Sequence, residues 1–266
     1  MKIALCFRGI ARSLQHTVES IRSHIIEPAQ QFGDVRIFTH LFDQTTIDNP
    51  RSREQGPLDR SEYLLLQSHE IQLENPDECL SHHGFDALKT YGDPWNNNFT
   101  SLKNLIHELH SLKEGWKMAE IWNPSITLFL RPDLLYGSSF RHLFNEIQLS
   151  KRKGLCLPIW QGCWGANDRF AIATTHEAAI VYAERIDYAM DYCLTKAKPL
   201  HAEKFLLHQL CQNKTPLWFT RLQARRIRLG GHHAPEKFST LKGSNLPAWI
   251  HGLRTGFGRR YPEKTE

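Results

Sequence analysis

The N-terminal stretch 2–41 switches between two hydrophobic rhythms, and this switch constrains the fold more than any other feature. Residues 2–7 (KIALCF) form an apolar run that stops at Arg8 and Gly9. A run without polar alternation is what a strand covered on both faces needs. From 11 to 32, Leu14, Val18, Ile21 and Ile25 recur at helical spacing. Pro28 lacks a backbone N–H and is expected to loosen the last turn. Residues 34–41 (DVRIFTHL) form the second strand. A strand, a helix and a strand in succession make a right-handed crossover between parallel neighbours, so the chain belongs to the α/β class.

The later pattern continues this theme. Residues 42–59 are polar and hold Pro50, Gly56 and Pro57, which predicts a long loop. The stretch 62–74 fits strand or helix, with a strand favoured near 70–73, and 81–98 looks irregular. A helix is predicted over 99–121, where Leu102, Leu105, Ile106, Leu109, Leu112 and Trp116 share a face. Strands are predicted at 125–130 (SITLFL) and 154–159 (GLCLPI), helices at 176–190 and 202–211, and a last strand at 225–229. The length of 266 residues suits one domain over 1–230, followed by a basic C-terminal tail over 231–266.

Composition excludes several classes. Hydrophobic residues make up 41% and charged residues 23%, as in globular rather than disordered chains. Six cysteines without a CxxC pair argue against a zinc ribbon or disulfide framework and fit buried thiols. No apolar run is long enough for a signal-peptide core or a membrane span, so a cytoplasmic protein is expected. The net charge of +5 is uneven. Arg221, Arg225, Arg226, Arg228, Lys237, Lys242, Arg254, Arg259 and Arg260 face Glu236 alone over 221–260. Such a segment attracts anions or is a solvated tail; peripheral contact with an anionic inner membrane face is one expectation. Walker-type and GxGxxG phosphate loops are absent.

In an open α/β sheet, ligands bind at the carboxyl ends of the strands. Three motifs fall there or nearby. FRGIAR (7–12) closes the first strand; Gly9 permits a tight turn, while Arg8 and Arg12 offer forked donors suited to phosphate. The other reading is a plain turn with solvated arginines. LRPDLL (130–135) places Arg131 and Asp133 at the end of another strand, where a carboxylate suits Mg²⁺ or Mn²⁺. The other reading is an Arg131–Asp133 ion pair. WQGCWGANDRF (160–170) interleaves Trp160 and Trp164 with Gly162 and Gly165 before Asp168. Aromatic faces stack on sugars or bases, and Asp168 is a candidate general base. Otherwise the tryptophans are core and Asp168 pairs with Arg169. Weaker candidates are Glu203 at a helix start and His232 in GGHH (230–233) as a metal ligand.

At these residues the chain resembles bacterial GT-A-like glycosyltransferases and related carbohydrate-biosynthesis proteins. The resemblance rests on the order of ALCFRGIAR (4–12), DVRIFTHLF (34–42), LRPDLLYG (130–137), GANDRFAIA (165–173) and AEKFLLHQL (202–210). It implies a Rossmann-like, mostly parallel sheet flanked by helices, with a donor-binding half over 1–135 and an acceptor half over 136–230. It further implies a nucleotide diphosphosugar co-substrate, a glycan or lipid-linked acceptor, and a role in surface polysaccharide or glycan synthesis. Arg12, Asp133 and Asp168 match the family's arginine after the first strand, its strand-end acid and its Asn-Asp pair; together with the motif readings above, Arg8, Gly9, Arg12, Asp133, Trp164 and Gly165 are donor-binding candidates, with Asp168 and Arg131 catalytic. The Asp-x-Asp metal motif of the family is reduced here to Arg-Pro-Asp. The sequence leaves two alternatives: a sulfotransferase-like or other anion-handling transferase, and a non-catalytic binder of an anionic polymer or membrane surface. Nucleic acid is not an expected partner.

Overall fold

A computed structural model describes residues 1–49, 52–162 and 165–238. The strand–helix–strand opening is present. β1 (Lys2–Gly9) and β2 (Asp34–Phe42) pair in parallel, Lys2 opposite Asp34 through Gly9 opposite Leu41. Between them run α1 (Leu14–Ile21), a π-helical turn (Arg22–Ile26) and α2 (Glu27–Gln30). Pro28 acts one turn earlier than expected. It cannot donate to the His24 carbonyl, the helix widens just before it, and that carbonyl accepts the Phe140 N–H at 2.8 Å.

The stretch expected to be a plain loop contains a hairpin, β3 (Thr46–Asn49) and β4 (Glu54–Pro57). A 3₁₀ turn (Glu62–Leu66) precedes β5 (Glu70–Glu74), a strand where one was favoured. Residues 81–98 are less irregular than their glycines suggest, because α3 (Glu78–His82) and α4 (Phe85–Lys89) fall there or just before. They are followed by the long α5 (Thr100–Ile121), then β6 (Ile126–Leu130), β7 (Leu134–Tyr136), α6 (Arg141–Ser150) and β8 (Leu155–Pro158). β9 (Ala171–Ala173), α7 (His176–Ala183), α8 (Ala189–Lys196) and α9 (Ala202–Gln212) come next. β10 (Leu217–Thr220) and β11 (Ala224–Arg226) are the last strands among the described residues, and a short 3₁₀ turn (Leu229–Gly231) follows them. The helix predicted over 176–190 is broken by a 3₁₀ turn (Arg185–Tyr188).

The main sheet has seven strands in the order β10-β8-β9-β6-β1-β2-β5. β6, β1, β2 and β5 are parallel, as are β8 and β10. β9 lies antiparallel to both β6 and β8 and joins the two blocks. The fold is therefore α/β with a mostly parallel sheet and helices on both faces. β1 explains the arrangement: Ile3, Leu5 and Phe7 pack with Leu14, Ile21 and Ile25 on one side. Ala4 and Cys6 pack with Leu112, Trp116 and Ala119 of α5 on the other. A strand buried on both faces has no room for polar alternation, which accounts for the unbroken run. Cys6, Cys79, Cys156 and Cys193 are buried free thiols and Cys211 is half-buried, as anticipated. No helix of the described residues is long and apolar enough to cross a membrane.

Residues 231–238, expected to begin a solvated tail, pack onto the body. The Ala234 N–H donates to Arg226 O at 2.9 Å, and Phe238 meets Trp160 edge-on at 5.0 Å. Glu236, the lone carboxylate of the basic segment, has a side chain that is 0% exposed. Residues 239–266, with most of the expected basic tail, lie outside the described residues.

Candidate active site

The carboxyl ends of β1 and β6 open into a cavity of about 1580 Å³. Arg8, Gly9, Arg12, Arg131, Asp133 and Asp168 all line it, so three motifs far apart in sequence meet in one place. Gly9 ends β1 with φ of +106°, a conformation that side chains rarely adopt. Its N–H donates to Ser111 Oγ of α5 at 2.9 Å. The chain can thereby leave the sheet and direct Arg12 back across the strand ends.

The arginines and carboxylates alternate in a ladder. Arg8 Nη2 meets Glu108 Oε1 at 3.2 Å, and Arg131 Nη1 meets Glu108 Oε2 at 3.0 Å. Arg131 also grips Asp133 in a fork, Nε to Oδ1 at 2.9 Å and Nη2 to Oδ2 at 3.0 Å. Arg12 Nη2 reaches Asp133 Oδ2 at 2.5 Å, and Nη1 meets Glu54 Oε2 at 3.4 Å. Arg228 Nη1 ends the series on the same Glu54 oxygen at 3.0 Å. A second run joins Arg226 to Glu236 at 2.5 Å, Glu236 to Arg169 at 3.9 Å, and Arg169 to Asp168 Oδ1 at 3.7 Å.

The first ladder sets four guanidiniums, Arg8, Arg131, Arg12 and Arg228, against three carboxylates, Glu108, Asp133 and Glu54, and so begins and ends on a cation. Burial alone would raise the carboxyl of Asp133, but Arg131 and Arg12 outweigh it and hold that group well below the ordinary range. Burial also opposes ionisation of Glu108, yet Arg131 and Arg8 carry it down to about 2. Burial and the nearby charge of Arg12 lower Arg228 to about 10, which leaves it cationic at neutral pH. Buried Arg8 Nε and Nη1, Arg12 Nε and Arg169 Nε have no acceptor among the described residues. Buried cationic donors without an acceptor are costly, and these four atoms belong to residues that line the cavity.

Asp133 does not fit a divalent ion. Both oxygens are already met by guanidinium donors, and its surroundings are cationic; of the two readings of this motif, the geometry is that of the ion pair. His232 lines the cavity, but among the described residues it joins no set of three metal-donor side chains.

The loop before Asp168 is built from packing. Trp160 is core, not a sugar platform: it is 1% exposed and its indole N–H donates to Leu222 O at 2.7 Å. Asn167 Nδ2 donates to Trp160 O at 2.5 Å, and its Oδ1 accepts the Arg169 N–H at 2.9 Å, fixing the turn that presents Asp168. The Asp168 carbonyl accepts from Arg8 Nη2 at 2.8 Å and from the Tyr182 hydroxyl at 3.2 Å. Gly165 is absent from the cavity lining. A Cβ there would lie 2.1 Å from Glu203 O, so the glycine lets the loop rest on the start of α9. Trp164 lies outside the described residues. Glu203 lines the cavity from the first turn of α9.

Sequence reading missed Glu54 and Glu108, named Arg169 only as a pairing partner of Asp168 and Glu236 only as the lone carboxylate of the basic segment, and saw Arg226 and Arg228 only as tail charge. Glu108 left a signal. It stands three residues after Leu105 and four before Leu112, so the apolar stripe of α5 carries a carboxylate in register. Glu54 and Glu236 left none, because their roles come from where the hairpin and the C-terminal segment fold back.

No protein-family model matches the chain, and neither does any curated protein sequence. Among solved structures, the chain is similar to mouse xyloside xylosyltransferase 1 in its apo form. The identity is 12%, the match covers 82% of this chain and 84% of that one, and the TM-score is 0.41. It is also similar to an active-site mutant of LgtC, at 13% identity over 82% of this chain and 72% of that one, with a TM-score of 0.44.

Proposed function

We propose that the chain is a GT-A-like glycosyltransferase that moves a sugar from a nucleotide diphosphosugar to a hydroxyl of a glycan or lipid-linked acceptor. The observation that carries this reading is the arginine ladder, with its surplus cation and orphaned donors, at the strand ends of a cavity large enough for two substrates. A diphosphate leaving group is a concentrated anion whose charge grows as the anomeric C–O bond breaks. Preorganised guanidiniums stabilise that growth without reorganisation. Because both Asp133 oxygens are taken by guanidinium donors, this role is assigned to Arg8, Arg12, Arg131 and Arg228 rather than to an ion held on Asp133.

Asp168, at the cavity wall, is the proposed base. Its carboxylate takes the acceptor proton as the acceptor oxygen bonds to the anomeric carbon, and the nucleoside diphosphate departs with the bonding pair. This division of labour belongs to an inverting reaction.

The test is a binding screen of nucleotide sugars against the full chain, with and without Mn²⁺. A genuine donor should bind equally in both conditions, and Asp168→Asn should lower turnover with that donor while leaving its affinity unchanged. Binding of no nucleotide sugar would sink the proposal. Preference for a 3′-phosphorylated adenine nucleotide would replace it with the sulfotransferase reading.

A further inference from the structure

Beside the arginine ladder but outside the cavity lining, three elements deliver a different donor set to one point. His40 comes from β2, Glu74 is the last residue of β5, and His110 lies in α5. His40 Nε2 stands 3.1 Å from Glu74 Oε2, and His110 Nε2 stands 2.9 Å from the same oxygen. All three ligand atoms lie within 4.8 Å of one another. Donors about 2.0–2.1 Å from a tetrahedral zinc ion sit about 3.3 Å apart, close to the two shorter separations here.

Hydrogen-bond bookkeeping around Ser111 shows what this point requires. Ser111 Oγ has one proton, and it goes to His40 O at 2.7 Å. The same oxygen accepts the Gly9 N–H, so its 3.0 Å contact with His40 Nδ1 must be donated by the imidazole. A neutral His40 is therefore the Nδ1–H tautomer, with the lone pair of Nε2 directed at a carboxylate oxygen. Two acceptors at 3.1 Å repel unless a proton or a metal ion lies between them. On the other side, His110 Nδ1 is 2.9 Å from His83 Nε2 and can donate to it, which turns the His110 Nε2 lone pair to the same point. A ligating histidine held through its other nitrogen is the usual outer-shell arrangement of a metal site.

We propose that His40, Glu74 and His110 bind a zinc-class divalent ion through Nε2, Oε2 and Nε2. Two imidazoles and one carboxylate suit zinc better than the harder magnesium ion. Water completes the coordination. The ion cross-links the edge strand β5, whose side chains are mostly exposed, to β2 and α5. Its role is structural and independent of the proposed transfer reaction.

The test uses the full chain, stripped with chelator and dialysed against Zn²⁺, with metal content measured by elemental analysis and Co²⁺ as a spectroscopic probe. One zinc per chain and the visible absorption of low-symmetry cobalt are expected, together with a higher melting temperature on zinc addition. Glu74→Gln and His110→Ala should abolish stoichiometric binding with unchanged circular dichroism. Ser111→Ala should weaken it about 10–100-fold, the usual effect of losing an outer-shell partner. Substoichiometric zinc in the wild-type chain would overturn the proposal, as would full binding by folded Glu74→Gln and His110→Ala. Should both variants fail to fold, wild-type stoichiometry and the cobalt spectrum decide alone. Donor binding is read separately, so failure here leaves the transferase reading standing, and the reverse.

Discussion

Replacing Asp133 with asparagine separates an arginine latch from a metal ligand. The side chain is 4% exposed and accepts three charge-assisted hydrogen bonds, at 2.9 and 3.0 Å from Arg131 and 2.5 Å from Arg12. Asparagine preserves volume, so no cavity term enters. It removes one negative charge and turns an amide donor towards guanidinium donors. Arg12 is left with Glu54 at 3.4 Å and Arg131 with Glu108 at 3.0 Å. Removing one partner of a buried ion pair costs about 3–5 kcal/mol, because the remaining charge stays desolvated. At about 2–4 °C per kcal/mol for a domain approaching this size, Asp133→Asn should lower the melting temperature by about 6–20 °C. The assay is urea unfolding followed by far-UV circular dichroism, with thermal scans in the presence of Mn²⁺ and of EDTA. The latch requires the same loss in both. A loss below about 1 kcal/mol, or one that appears only with Mn²⁺, would refute the reasoning.

Gly165→Ala should destabilise by about 1–3 kcal/mol, because the new Cβ meets the Glu203 backbone rather than a side chain that can rotate away; an unchanged unfolding midpoint would show that the loop does not rest on α9. Acidification gives another test. Burial pushes His107 down to about 4, and Glu108 is carried down to about 2 with Asp133 well below its ordinary range. All three are depressed in the folded chain, so the unfolded chain binds more protons as pH falls. Stability should be fullest above the ordinary histidine value of 6.5, decline as pH falls towards 4, and decline further as pH moves from the ordinary glutamate value of 4.5 towards 2. Urea midpoints measured from pH 7.5 to about 2.5 read this directly, and a flat profile would contradict the buried placement of these groups.

The α/β class was legible from KIALCF, the stripe of Leu14, Val18, Ile21 and Ile25, and DVRIFTHL, because period and length report which faces are covered. Shorter elements escaped. β9 has only three residues, Ala171–Ala173, and β3 and β4 lie in polar sequence that local propensity assigns to a loop. Such strands are fixed by their neighbours in the sheet or hairpin and carry little signal of their own.

The candidate site divides in the same way. Strand-end logic singled out Arg8, Arg12, Arg131, Asp133 and Asp168, which all line the cavity, because a parallel sheet presents its carboxyl ends to one side. Their roles were not written there. Whether Asp133 faces an ion or two guanidiniums depends on Arg12, 121 residues away in sequence. The partner of Arg228 is Glu54, 174 residues distant. Sequence alone determined the layering and the end of the sheet where the candidate site lies, since both follow from local hydrophobic period. Only tertiary structure decided which charges neutralise one another, because at distances near 3 Å a carboxylate's chemistry is set by whichever side chains the fold brings to it, however far along the chain they lie.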